Sequence, residues 1–224
     1  MAKLILGALV VLFLFELQYV ARIFLFDFVN PSSSPYIRAE QERLASEGKG
    51  AIRFSWVDYD QISPNIVKAV VAAEDAEFMS HNGLRWDAIK RAAEKNLLTD
   101  HRAPGGSTLS QQTVKNLFLS HERSYFRKAQ EIILTPIAEA VWGKKRILEI
   151  YLNIAEFGNG IFGVQAASRV YFHKNASELT KSEAVRLSSI LINPKRYHIN
   201  SSSALLRHRI QRIYNDFNLV DIPR

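Results

Sequence analysis

The stretch EDAEFMSHNG, Glu74 to Gly83, sets three carboxylates and a histidine directly behind an apolar helical run. Ser63-Pro64 reads as an N-cap with proline at the first helical position, and apolar residues at helical spacing follow from Pro64 towards Ser80. Val67, Val71 and Phe78 form one stripe, and Glu74 falls on it, three residues after Val71 and four before Phe78. A carboxylate is thereby placed where a core side chain belongs. Such a group needs a partner or must give up its charge, because burial disfavours the ionised form. That is the usual condition of a general acid or base. The plainer alternative is that Glu74 sits at a boundary and reaches out to water.

A second acidic position ends RKAQE, Arg127 to Glu131, with Arg123 just ahead of it. On a helix Glu131 shares a face with Arg127 and Lys128, which alone describes a solvated ion-pair ladder of about 0.3–0.5 kcal/mol. Between the two acidic stretches lies GGSTLSQQ, Gly105 to Gln112, in which Thr108 and Gln111 have capping-box spacing. A helix is expected from here to about Leu119, its free N–H groups aimed at whatever the glycine loop holds, an arrangement suited to an anion. Gln111 and Lys115, four residues apart, add an amide and an ammonium to one face. An ordinary capped helix after a loop fits the same residues, and no GKS or GKT follows to make a P-loop.

The 224 residues that must position these groups include 47% hydrophobic ones, enough for a globular core plus an appendage. A formal charge of +7 suits an anionic partner: nucleic acid, a phospholipid surface or a phosphorylated substrate. The absence of cysteine excludes a disulfide framework, thiolate catalysis and Cys-ligated zinc. Leu4 to Phe15 carries no polar side chain, and apolar character resumes to Val29, interrupted by Glu16, Gln18, Arg22 and Asp27. A span needs about 20 mainly apolar residues, so Leu4 to about Ala21 is expected to anchor the chain in a membrane, with Ile23 to Val29 in the headgroup layer. Bulky residues follow the run and no A-x-A-like site does, which argues against a cleaved signal peptide. Lys3 and the amino terminus are the positive charges before it, favouring N-inside orientation. This divides the chain into an anchor and interfacial segment (1–29), a linker (30–50, containing NPSSSP) and a catalytic domain (51–224).

Within that domain, Ile52 to Val57 has a short extended pattern and Trp86 to Leu98 a helical one. Pro136 is expected to kink or restart the RKAQE helix, with Thr135 as its cap. KKRILEIYLN, Lys144 to Asn153, is a basic opening into an amphipathic helix. EFGNGIFGVQAASRVYFHK, from Glu156, is a glycine-rich turn followed by a small-residue helix. Thr180 and Glu183 form another capping box before a helix ended by Asn193-Pro194, and a last helix over about Ser203 to Phe217 bears Arg207, Arg209 and Arg212. At least seven helices and no convincing alternating run predict an all-α domain.

Taken in order, EDAEFMSHNG, GGSTLSQQ, RKAQE and KKRILEIYLN resemble the central motifs of the peptidoglycan glycosyltransferases, the family of penicillin-binding-protein transglycosylase domains. The likeness runs from about Trp56 to Tyr197, and the chain ends soon afterwards, like the monofunctional members without a transpeptidase domain. The resemblance implies a lysozyme-like, two-lobed helical fold with an N-terminal transmembrane helix, on the outer face of a bacterial inner membrane. It implies polymerisation of lipid II: the lipid-linked nascent glycan is donor, the GlcNAc 4-hydroxyl of lipid II is acceptor, and undecaprenyl pyrophosphate leaves with inversion. Glu74 then matches the catalytic base and Glu131 the second essential glutamate, beside the departing pyrophosphate. Ser107, Gln111, Gln112, Lys115, Arg123, Arg127 and Lys128 match substrate- or phosphate-binding positions. Asp75, Phe78, His81, Gly83, Gly106 and Asn153 shape the motifs, with His81 a hydrogen-bond anchor rather than a proton carrier. A fifth motif near Ser188 to Tyr197 matches loosely and leaves Lys195 and Arg196 without a clear role. No cofactor is obligatory; a divalent cation, Mg or Mn, is compatible with Glu131 at the pyrophosphate. The partners implied are lipid II, the bilayer and other cell-wall synthesis or division proteins, not nucleic acid. An anchored glycan hydrolase would also use two carboxylates. The cations around Gly105 to Arg127 distinguish the two, since hydrolysis of a neutral glycan has no pyrophosphate to hold.

Overall fold

The computed structural model describes residues 16–91, 106–120, 122 and 124–224, and these are mostly helical. Helix α1 covers residues 16–28, α2 Pro35–Ser46, α3 Pro64–Glu74, and α4 residues 86–91 as far as it is described. Then follow α5 Leu109–Phe118, α6 Tyr125–Ile154, α7 Val164–Phe172, α8 Lys181–Ile190 and α9 Ala204–Asp216. The all-α expectation needs a correction. Strands β1 Arg53–Phe54, β2 Glu156–Gly158 and β3 Ile161–Phe162 form a small sheet in the order β1-β3-β2, with β1 parallel and β2 antiparallel to β3. Strand β1 falls within the extended pattern expected over Ile52 to Val57, whereas β2 and β3, of three and two residues, are too short for alternation to register in the sequence.

Helix α3 packs against α8 and α9, and α5 lies along α6. The Ser63 hydroxyl caps α3 by accepting the Asn65 N–H, and Pro64 occupies its first turn. Not one stripe but nearly the whole of α3 is buried: Ile66, Val67 and Ala69 through Ala73. The helix also stops at Glu74 instead of running towards Ser80, because Asp75 turns extended (φ −159°) and sends its carboxylate elsewhere; a 3-10 turn, Phe78–Ser80, follows.

Pro136 does not break α6. Helical geometry passes through it, and the Thr135 hydroxyl, expected as a cap, donates instead to the Glu131 carbonyl at 2.6 Å. Burial of Leu134, Thr135 and Ala138 beside α5 holds the helix across the one hydrogen bond that proline removes. The interruption falls at Gly143 (φ 62°, ψ 176°), a conformation that glycine alone adopts without strain.

The expected linker is also structured. Ser34 caps α2 by accepting the Ile37 N–H at 3.2 Å, Pro35 opens it, and Ile37, Glu40 and Leu44 are buried. The same Ser-Pro signal that starts α3 works here. Residue Ile23 of α1 is fully buried, its carbonyl accepts from Trp142 Nε1 at 2.8 Å, and Arg146 grips the Phe26 carbonyl, so this face of α1 is docked on the domain; Phe24, Leu25 and Phe28 are exposed. Most of the anchor expected over Leu4 to Ala21 lies outside the described residues. Among the described residues no helix is long and apolar enough to cross a membrane.

Candidate active site

The first acidic stretch divides its labour at the end of α3. Asp75, almost fully buried, accepts the Leu109 N–H at 2.9 Å and faces His81 Nε2 at 3.0 Å. The Gly83 N–H donates to His81 Nδ1 at 3.1 Å, so the imidazole bridges Asp75 and the Gly83 backbone. The Gly83 carbonyl in turn accepts the Thr108 hydroxyl. Gly83 has φ +84°, and a Cβ there would lie 2.6 Å from Glu139 Cγ, so only glycine fits this closure. Phe78 is fully buried with the Lys144 ammonium 4.4 Å from its ring centre. A Cβ on Gly106 would meet that of Ala88 at 3.0 Å, and Asn153 clamps Val57 through both its N–H and its carbonyl at 2.8 Å each.

These contacts change the reading of the α5 N-terminus. The anion held there is Asp75, a carboxylate of the protein itself. The Thr108–Gln111 capping box forms as expected, but it leaves Gln111 fully buried, its side-chain oxygen accepting the Thr108 N–H at 3.0 Å. Gln111 therefore presents no surface to a substrate, a correction to its expected binding role. The next residue, Gln112, is only half-buried: Nε2 donates to Glu74 Oε2 at 3.0 Å, and the Tyr151 hydroxyl reaches its Oε1 at 3.4 Å.

Glu74 itself keeps 14% of its side chain exposed and is ion-paired with Arg209 of α9. Tyr151 stands beside it: burial first, then the Glu74 charge, push the phenol well above its ordinary range. Glu131 is more enclosed, at 2% exposure. Arg127 Nη1 holds its Oε2 at 2.8 Å, Lys128 its Oε1, and Lys128 also reaches the Ser107 hydroxyl at 3.3 Å. So the expected ladder exists, but with the acid inside rather than in water. Arg123 lies outside the described residues.

Lys115 links the two acids. Burial lowers its ammonium below the ordinary lysine range, while Glu131 and, more weakly, Glu74 pull it back up. It has no ion-pair or hydrogen-bond partner among the described residues. With Gln112 and Tyr151 it lines a cleft of about 870 Å³ walled by α2, α5, the end of α6 and residues 191–195. Neither glutamate is in the wall itself; Glu74 meets the cleft through Gln112 and Tyr151, and Glu131 lies within the electrostatic reach of Lys115.

The model of the transglycosylase family matches residues 41–218. The chain belongs to the transglycosylase family. It is 44% identical over 224 residues to a biosynthetic peptidoglycan transglycosylase of Azoarcus sp. (strain BH72), covering 100% of this chain and 96% of the relative. A protein of the same description from Aromatoleum aromaticum is 45% identical over 206 residues, 91% of this chain and 90% of that one. One from Bordetella avium is 44% identical over 225 residues, 98% and 94% respectively.

As a transglycosylase the chain is a glycosyl-transferring enzyme, and the candidate site brings in side chains that the sequence does not single out. Arg209 sits among Arg207 and Arg212 on one basic helix, with nothing in spacing to single it out. Only the fold turns Arg209 to Glu74, Arg212 to the Ala73 carbonyl at 2.9 Å, and Arg207 to the Ser202 carbonyl. Tyr151 reads as core and is buried, yet its hydroxyl ends at Gln112. Lys195 finds a place too, lining the cleft and paired with Glu40 at 2.5 Å.

Proposed function

We propose that this transglycosylase polymerises peptidoglycan glycan chains from lipid II. The observation that carries the reading is Lys115: a largely buried ammonium, unpartnered among the described residues, in a cleft wall between two glutamates. Holding that charge away from water is unfavourable unless an anion is delivered to it. A diphosphate leaving group is such an anion; a neutral glycan awaiting hydrolysis is not. The relatives' printed description, biosynthetic peptidoglycan transglycosylase, agrees with this reading.

In the proposed step the acceptor's 4-hydroxyl approaches Glu74, which takes its proton as the oxygen attacks C1 of the donor sugar. The C1–O bond to phosphate breaks on the opposite face, giving inversion, and its electron pair leaves with undecaprenyl pyrophosphate. Lys115, Arg127 and Lys128 compensate the charge gathering on that diphosphate, with Arg123 as a further candidate. Glu131 fixes Arg127 and Lys128 so that the field is present before the bond breaks. Glu74 must exchange Arg209 or Gln112 for the substrate hydroxyl, and its partial exposure suits that exchange.

A divalent cation fits this donor set poorly. Both Glu131 oxygens are engaged by cationic side chains, Lys115 stands nearby, and no group of three metal-ligating side chains occurs among the described residues. The proposed setting is a membrane surface on the periplasmic side, where lipid-linked substrate is found. The exposed Phe24, Leu25 and Phe28 of α1 and Tyr125, Phe126 and Ile133 of α6 support contact with lipid. Purified full-length protein given lipid II in detergent should yield long glycan and free undecaprenyl pyrophosphate; cutting of preformed glycan without synthesis would overturn the reading.

A further inference from the structure

The far half of the cleft contains two buried carboxylates that no step above uses. Glu156, at the start of β2, is 4% exposed. Its Oε1 accepts the Gly160 N–H at 3.3 Å, and its Oε2 accepts the hydroxyl of Tyr36, which arrives on α2 from 120 residues earlier in the chain. Burial pushes the Glu156 carboxyl up, against the opposing pull of the Tyr36 hydrogen bond and the Lys195 charge. Glu40, 3% exposed, is handled differently. Burial pushes it up as well, but hydrogen bonds from Arg43 (Nε at 2.6 Å) and Lys195 (Nζ at 2.5 Å) outweigh that and hold it low. Tyr36, Glu40, Arg43, Glu156 and Lys195 all line the same cleft as Gln112 and Lys115.

The cleft is therefore electrically lopsided. Near α5 it offers Lys115, a lysine with no ion-pair or hydrogen-bond partner among the described residues, with Glu122 the carboxylate that lines that end. Across from it, the cations Arg43 and Lys195 are already committed to Glu40, and Glu156 has a backbone N–H on one oxygen and a phenol on the other. A diphosphate placed at that end would face two enclosed carboxylates without a spare positive charge, and like charges brought together away from water repel strongly. Uncharged hydroxyl and amide groups meet no such opposition, and a buried polar pair that hydrogen-bonds them discriminates against ligands that lack them.

We propose that Tyr36 and Glu156 are specificity-determining residues that accept the uncharged hydroxyl and acetamido groups of the substrate's sugars, and so orient it with its diphosphate at the Lys115 end. This rests on the reading of the protein as a lipid II polymerase. The competing account is that Tyr36 and Glu156 only clasp α2 to the domain. A clasp would support every ligand of the cleft alike, whereas a sugar-reading pair matters only to ligands that carry sugar.

Steady-state polymerisation by the full-length enzyme separates the two, with KM measured for lipid II and the inhibition constant for undecaprenyl pyrophosphate, which has the diphosphate but no sugar. Tyr36→Phe and Glu156→Ala should each raise KM about tenfold, the loss of one good hydrogen bond to a polar group, and leave the inhibition constant within about twofold. Glu156→Gln keeps the shape and one accepting oxygen for the Gly160 N–H, and its amide N–H can donate to the Tyr36 hydroxyl in place of accepting from it, so it should stay close to wild type in both. Tyr36→Phe retains the ring's packing, so a folded protein is available even if Glu156→Ala is unstable. Equal changes in both constants for Tyr36→Phe, an unchanged KM, or a Glu156→Gln defect as large as that of Glu156→Ala would each overturn the proposal. Failure of the wild-type protein to polymerise lipid II would remove the functional reading beneath it, an outcome distinct from normal polymerisation with unaffected variants.

Discussion

Glu74 and Glu131 are both acids held by cations, yet their surroundings are built in opposite ways. Glu131 takes its partners from its own helix, three and four residues back, and is closed off at 2% exposure with both oxygens engaged. Glu74 takes Gln112 from α5 and Arg209 from α9, 38 and 135 residues away, and keeps an open edge. A locally assembled, saturated carboxylate is suited to holding charges still. One assembled from distant helices, and only partly covered, can trade a partner for a substrate. On the proposed mechanism, the contrast assigns the organising of cations to the second glutamate and contact with the reacting atoms to the first.

The contrast is most directly broken at Glu74. Glu74→Gln should leave thermal unfolding nearly unchanged and lower the polymerisation kcat by about 10²–10⁴-fold, the usual contribution of a general base; near-normal turnover would take that role from it. Glu131→Gln should act on both stability and rate. Two cations left without their enclosed counter-charge cost about 3 kcal/mol, so the melting temperature should fall by roughly 6–12 °C and kcat by about 10²-fold. A rate loss without any thermal shift would mean that Glu131 is not the organiser described here.

Lys115→Met tests the charge between them. The variant should lose about 10–100-fold in kcat/KM, the worth of one hydrogen bond to a charged group, while gaining about 1 kcal/mol of stability at neutral pH. The sign follows from the lowered Lys115 ammonium: the folded state binds that proton less tightly than the unfolded chain does, so the wild type carries the cost of a buried charge below its folded pKa and is relieved of it as pH rises towards the ordinary lysine range. Unfolding followed from pH 7 to 10 should accordingly show the variant's advantage shrinking. The smallest effect is expected at Arg209. Arg209→Ala should lower kcat about tenfold with little change in KM, and add almost nothing to Glu74→Gln, because it acts through that carboxylate. Additive losses in the double variant would separate the two.

What the sequence by itself determined is whatever depends on near neighbours along the chain. Ser63-Pro64, Thr108 with Gln111 and Thr180 with Glu183 each start a helix because the capping groups lie within one turn. The Arg127–Lys128–Glu131 cluster is legible for the same reason, as is the amide-bearing Gln112 beside Lys115. Local signals also misled: the proline at 136 reads as a break and residues 30–50 as one linker, although 35–46 is helical, because neither the packing of α6 nor the cap at Ser34 is weighed by composition. Only tertiary structure decided that Gln111 faces inward, that the α5 N-terminus is closed by Asp75, that Arg209 among three arginines reaches Glu74, and that Tyr36 meets Glu156. Those outcomes join residues 34 to 135 positions apart. Their physical reason is the burial of α3 against α8 and α9 and of α5 against α6, which sets helix faces against one another at distances no periodicity in the chain records.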